Sequence, residues 1–194
     1  VIYLKAPVYS PAEDSFLLEG IILINKKLIK GKKCLDLGCG SGIISSAFLD
    51  CGAEKVMALD INKNALDFAK KSILKKYAPE LKIENKINFV ESDLFSNVHE
   101  SFDVIAFNPP YVPSEEIKWV DLDGGKDGRE IIDQFLETFP DFLSENGIVF
   151  LLCSSLNKSA EIKKKLAKKG FTVKKCKSVD LDSEELFVFL IKKK

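Results

Sequence analysis

The chain has 194 residues, 46% of them hydrophobic, and its 29 basic side chains balance 29 acidic ones. That length supports one domain with a substantial core and leaves little room for a second, while no uninterrupted apolar run approaches the ~20 residues of a membrane-spanning helix. Every basic residue except Arg129 is a lysine, and because bidentate reading of guanine favours arginine, the composition weighs against a sequence-specific nucleic-acid binder.

Residues 11–28 are predicted to be helical: Leu17, Ile21, Ile24 and Leu28 fall at helical spacing, and Glu13 and Asp14 occupy the first turn, where the helix dipole favours acids. A first strand follows at 33–37, then a helix over 42–50 that Gly52 can close. The second strand is 56–59. Asn62 caps a helix to about residue 77, with Leu66, Ala69 and Ile73 as its apolar stripe. Third and fourth strands are expected at 87–90 and 102–107. A long connection, 112–128, contains Trp119 as a candidate apolar anchor. Residues 130–143 read as a helix kinked or broken at Pro140, 148–153 as a strand buried on both faces, 159–169 as a helix, and 171–179 and 186–191 as a closing pair of strands. This alternation argues for an α/β sheet wound with helices on both faces. Cys34, Cys39, Cys51, Cys153 and Cys176 are odd in number and contain no CxxC pair. They read as reduced thiols of a cytoplasmic protein, with no metal site.

Between the first strand and its helix lies Gly38-Cys39-Gly40-Ser41-Gly42. Glycines let a backbone turn sharply and approach a ligand closely. The spacing departs from the GxGxxG dinucleotide fingerprint, since Ile43 stands where the third glycine belongs. Asp36 precedes the glycines and offers a carboxylate to a cationic ligand end. Asp60, 20 residues after Gly40, ends the second strand and can accept from ribose hydroxyls. Asp93 follows the third strand and can accept from an adenine amine, with the Leu94 backbone beside it. Three acids after three successive strands point to a nucleoside-binding sheet.

The fourth strand ends in Asn108-Pro109-Pro110-Tyr111. The Asn108 side-chain oxygen and the Pro109 carbonyl can both accept from one planar NH2 group, proline fixes the chain direction, and the Tyr111 ring can lie against the plane. A nitrogen held this way is set for alkylation. His99, the only histidine, lies in a polar stretch and reads as a solvated loop residue rather than a base.

On these motifs the chain resembles the class I S-adenosylmethionine-dependent methyltransferases. The segment Val8-Tyr9-Ser10-Pro11-Ala12-Glu13-Asp14-Ser15, the tetrapeptide and Gly124-Gly125-Lys126-Asp127-Gly128-Arg129 are similar to the HemK-type protein-glutamine methyltransferases, in their short archaeal and eukaryotic branch. The resemblance implies a Rossmann-like, seven-stranded, mostly parallel sheet with the last strand antiparallel. It implies a single domain over 1–194, with 1–30 packed on the cofactor site. S-adenosylmethionine would touch Ser15, Asp36, Gly38, Gly40, Asp60, Ile61, Asp93, Leu94 and Asn108. The acceptor would touch Asn108, Pro109, Pro110 and Tyr111, with residues 124–129 shaping the substrate mouth. The expected acceptor is the glutamine of the Gly-Gly-Gln loop in class 1 release factors. The expected partner is a small zinc-binding activator subunit beside the third, edge strand, with Phe89 a candidate anchor. Adenine N6-methylation, protein-lysine methylation and an idle cofactor-binding scaffold are the rival readings of the same motifs.

Overall fold

The computed structural model describes residues 8–114 and 122–194; Trp119 lies outside them. Seven strands form one sheet: β1 (Lys33–Leu37), β2 (Lys55–Asp60), β3 (Ile87–Glu91), β4 (Phe102–Phe107), β5 (Leu143–Ser154), β6 (Phe171–Asp180) and β7 (Glu185–Lys193). Their order is β3-β2-β1-β4-β5-β7-β6. The pairs from β3 through β5 are parallel, and β7 runs antiparallel to both β5 and β6. The winding direction reverses between β1 and β4, and such a reversal opens a crevice at the carboxyl ends of the strands.

Among the described residues six helices accompany the sheet: α1 (Glu13–Ile24), α2 (Lys26–Ile29), α3 (Ile43–Asp50), α4 (Lys63–Lys76), α5 (Glu130–Thr138) and α6 (Ser159–Lys168). Strands covered on both sides read as unbroken apolar runs, and Val104, Ile105, Ala106 and Phe107 of β4 are all buried. Alternate strand residues feed two cores. One joins Val104, Ala106 and Phe150 to Leu18 and Ile22 of α1, Phe48 of α3 and Ile73 of α4. The other joins Ile105, Phe107 and Val149 to Ile132 and Phe135 of α5 and Leu166 of α6. In the second core, rings meet in series, Phe107–Phe135, Phe135–Phe139 and Phe139–Phe171, each pair with centroids 5.0 Å apart. This ladder packs the end of β4 against α5 just where the tetrapeptide begins. No helix among the described residues is long and apolar enough to cross a membrane.

Strand and helix positions otherwise follow the expected pattern, including the Asn62 cap, whose side chain accepts from the Asn64 N–H. Three boundaries differ. The helix expected over 11–28 breaks at Asn25 (φ −97°, ψ 23°), whose Nδ2 donates to the Ile21 carbonyl and competes with helix continuation. The helix expected to reach 143 ends at Thr138 and tightens into a 3₁₀ turn, Phe139–Phe142, because Pro140 has no N–H to continue the ladder. Strand β5 therefore starts at Leu143, five residues early. It bulges before its apolar run: Leu143 pairs with Phe102, but the next partner of β4, Val104, pairs with Ile148.

Candidate active site

The crevice at the tips of β1, β2 and β4 is lined by the glycine turn, Asp36, Asp60, Ile61, Asp93, Leu94, Ser15 and the whole tetrapeptide. The sheet thus brings together all the expected cofactor and acceptor residues, whereas none of residues 124–129 lines the crevice. Gly38, Gly40 and Gly42 have φ of 67°, 48° and 81°, the left-handed region that side chains resist. At Gly42 packing adds a second demand, since a Cβ would lie 2.9 Å from the Ala69 Cβ on α4. The turn is tied down by the Cys39 N–H to the Leu59 carbonyl (2.7 Å) and by the Gly40 N–H to Asp60 Oδ2 (2.9 Å). The other Asp60 oxygen accepts from the Asn62 N–H at 2.8 Å. Asp60 therefore shapes the loop as well as facing the crevice, and a carboxylate oxygen has lone pairs enough for both roles.

Asp36 is 2% exposed, and its Oδ2 accepts from both the N–H and the hydroxyl of Ser45 at the start of α3. Burial pushes its carboxyl up to about 7, against the lowering pull of the Ser45 donors. Asp93 is exposed at the rim. Leu94 adopts φ 46°, a conformation costing a non-glycine residue roughly 1–2 kcal/mol. The Ser92 hydroxyl, donating to the Leu94 carbonyl at 2.9 Å, helps hold it. Ile61 is 40% exposed beside Asp60, and Ser15 is buried in the first turn of α1.

The tetrapeptide depends on a residue that the sequence pattern assigned only to the helix dipole. Asp14, 4% exposed, accepts from Asn108 Nδ2 at 3.0 Å. The Tyr9 hydroxyl and the Ser15 N–H donate to the same carboxylate. A carboxylate can only accept, so Asp14 fixes which end of the Asn108 amide faces it. Asn108 Oδ1 is left buried without a partner among the described residues. An orphaned buried acceptor costs about 1–3 kcal/mol, and here it belongs to a residue that lines the crevice. The signal for Asp14 was present in the sequence: it shares a helical stripe with Leu17, Leu18 and Ile21, where a carboxylate needs a partner. Tyr9 carried no such signal.

Pro109 is buried, and Pro110 and Tyr111 are half-buried. Burial, then the nearby Asp14, Glu184, Tyr9 and Glu13, pushes the Tyr111 phenol above its ordinary range. It stays protonated at neutral pH and supplies an aromatic face rather than a base. Beyond it, the Gly124 N–H donates to the Val112 carbonyl at 2.9 Å, and the Val112 N–H to the Leu122 carbonyl at 3.0 Å. Residues 124 and 128 press against the carbonyls of Pro110 and Tyr111, where a Cβ would come within 2.6 and 2.1 Å. Arg129 departs from the expected mouth-shaping segment: its guanidinium turns to Asp133 and to Glu161 of α6. His99 is exposed and does not line the crevice.

Comparison with known proteins agrees with this geometry. The methyltransferase small domain family matches residues 15–179. A candidate protein N5-glutamine methyltransferase of Methanocaldococcus jannaschii is 43% identical, over 95% of this chain and 91% of its own length. Methyltransferase HEMK2 of Homo sapiens is 34% identical, over 84% and 79% respectively. Among solved structures, the E. cuniculi Mtq2–Trm112 complex, described as responsible for methylating the eRF1 translation termination factor, superposes with a TM-score of 0.76. It is 26% identical, and the match covers 96% of this chain and 98% of that one. With its glycine turn, its tetrapeptide and these relatives, the chain belongs to the class I small-domain methyltransferases, in the branch of the HemK2 and Mtq2 protein N5-glutamine methyltransferases.

Proposed function

We propose that this chain transfers a methyl group from S-adenosylmethionine to the side-chain amide nitrogen of the glutamine in the Gly-Gly-Gln loop of a class 1 release factor. The observation that carries it is the unpaired, buried Oδ1 of Asn108, a residue that Asp14 fixes and that lines the crevice. The donor set suits that cofactor: Asp36 for the cationic amino acid end, Asp60 with Ile61 for the ribose, Asp93 and the Leu94 backbone for adenine, and Ser15, Gly38, Gly40 and Asn108 around them. When bound, S-adenosylmethionine supplies an electrophilic methyl group on a cationic sulfur.

A carboxamide nitrogen is a weak nucleophile because its lone pair is delocalised into the carbonyl. Asn108 Oδ1 and the Pro109 carbonyl accept its two N–H groups and so orient the nitrogen. Pro110 and the Tyr111 ring pack against its plane. As the nitrogen gains positive charge, these acceptors and the Asp14 carboxylate behind Asn108 stabilise it, which is positioning and preorganised electrostatics without a general base. The carboxylates of Asp14, Glu184 and Glu13 near Tyr111 disfavour a polyphosphate strand at this mouth and so favour a protein acceptor.

Strand β3 is the sheet edge, with Phe89 half-buried on it. An open strand edge is an aggregation risk unless covered. We place a small zinc-binding activator subunit there; the Trm112 partner of the E. cuniculi relative supports this reading.

The test is tritiated methyl transfer to a release factor, a histone-like peptide and DNA oligomers, with and without the activator, followed by mass-spectrometric mapping. Glutamine of the Gly-Gly-Gln loop is the expected site, and a lysine or adenine product refutes the proposal. Asn108→Ala is expected to lower transfer by roughly 10²–10³-fold while cofactor binding persists.

A further inference from the structure

We propose that Asn157 is a positioning residue for methyl transfer, its carboxamide clamping the far end of the acceptor grip to the glycine turn that follows it. This role rests on the reading of residues 108–111 as the acceptor-binding segment.

Asn157 is fully buried in a 3₁₀ turn, Ser155–Asn157, directly after β5. Strand β5 lies beside β4, so this turn emerges next to the tetrapeptide. Asn157 Oδ1 accepts from the Ser154 N–H at 2.8 Å. Its Nδ2 donates both hydrogens to main-chain carbonyls, that of Tyr111 at 2.8 Å and that of Gly128 at 3.0 Å. One short side chain therefore joins three segments that are distant in sequence.

The tetrapeptide needs such a tie. Pro109 and Pro110 have no N–H, and in the proposed function the Pro109 carbonyl is kept for the acceptor. Farther along, the Tyr111 and Gly128 carbonyl oxygens converge on one NH2 group, and Gly128, at φ 64°, lies so close that a Cβ on it would approach the Tyr111 oxygen to 2.1 Å. Two carbonyl oxygens aimed at one place repel. The NH2 of Asn157 between them turns that repulsion into two hydrogen bonds. Aspartate has the same shape without the donors, serine has one donor, and glutamine is a methylene too long. The turn is itself anchored, since the Ser154 hydroxyl accepts from the Leu156 N–H and donates to Glu184, one of the acids near Tyr111.

Asn157→Asp tests the clamp with a shape-preserving change. It keeps the acceptor for Ser154 and sets a carboxylate oxygen against two carbonyls. Burial and those carbonyls raise the pKa of the introduced acid, and its neutral form regains one O–H donor. The measurement is kcat for methyl transfer by the full chain between pH 6 and 8.5, beside the cofactor Kd. The expected result is a kcat at pH 8 lowered at least about tenfold, a cofactor Kd within about twofold, and a variant-to-wild-type ratio that rises as pH falls. Wild-type kcat at pH 8, a parallel collapse of cofactor affinity, or a ratio flat with pH overturns the clamp. Gly128→Ala crowds the same Tyr111 carbonyl with Asn157 intact, so it carries the test if the first variant does not fold. It is expected to show the same loss of kcat with cofactor binding kept, and wild-type kcat in it likewise overturns the clamp. Because each variant is scored against wild-type transfer to the acceptor that wild type modifies, a wrong substrate assignment shows in the wild-type product alone, separately from failure of the clamp.

Discussion

Replacing Asp14 with asparagine separates orientation from shape at the acceptor grip. The carboxylate sits 3.0 Å from Asn108 Nδ2 in a site 4% exposed, and a hydrogen bond to a charged group is worth about 1.5–3 kcal/mol. That energy holds Asn108 in the one amide orientation that leaves Oδ1 for the acceptor. An asparagine at position 14 can donate or accept, so it tolerates either orientation. It also removes the negative charge nearest the reacting nitrogen. The expected loss in single-turnover transfer at saturating cofactor is roughly 10- to 150-fold. Quench-flow with labelled cofactor measures it, and calorimetry measures cofactor Kd in parallel. A variant that transfers at the wild-type rate, or one whose loss is wholly a weaker cofactor affinity, refutes the orienting role. Tyr9→Phe removes one neutral donor from the same carboxylate and is expected to cost less than Asp14→Asn.

Asp36 gives a pH signature. Its folded pKa, about 7, lies above the ordinary 3.8, so the folded protein holds an extra proton between those values, and the cofactor-free protein loses stability as pH rises from about 4 to 7. Urea midpoints at pH 5 and pH 8 are expected to differ less in Asp36→Asn than in wild type. Ionised Asp36 is the form that pairs with a cation, so cofactor affinity is expected to weaken as pH falls from 8 to 6; calorimetry showing the opposite trend refutes that pairing. Phe135→Ala removes the central ring of the ladder beneath β4 and is expected to cost about 3–5 kcal/mol in urea unfolding. Gly42→Ala forces a Cβ to 2.9 Å from Ala69 at a left-handed backbone, and cofactor titration is expected to show weaker binding with the sheet intact by circular dichroism.

Strand positions were legible because both faces of this sheet are covered: runs such as residues 104–107 and 148–153 are apolar without a break and flanked by turn formers. The placement of the crevice acids was legible for a related reason. These acids lie at strand ends, so local spacing alone places Asp36, Asp60 and Asp93 on one rim. The early start of β5 was hidden because residues 143–147 bulge, and a bulge has no period. The helix break at Asn25 rests on a single side chain competing for a carbonyl, against an apolar spacing that continues past it. The contacts of Asp14 and Asn157 with the tetrapeptide were missed because their partners are 94 and 46 residues away. For Asp14 the stripe it interrupts was a usable warning. Asn157 follows a buried strand in a short polar stretch, where the same letters usually mean a cap, and it forms one.

The solitary oxygen of Asn108 also bears on product multiplicity. A primary amide has two hydrogens, in the proposed grip one for that oxygen and one for the Pro109 carbonyl. Once monomethylated, the side chain has a single hydrogen left, and one of the two acceptors is again without a match. The proposed grip therefore discriminates against its own product, so fast departure of the modified protein and a product limited to one methyl group are its expected consequences.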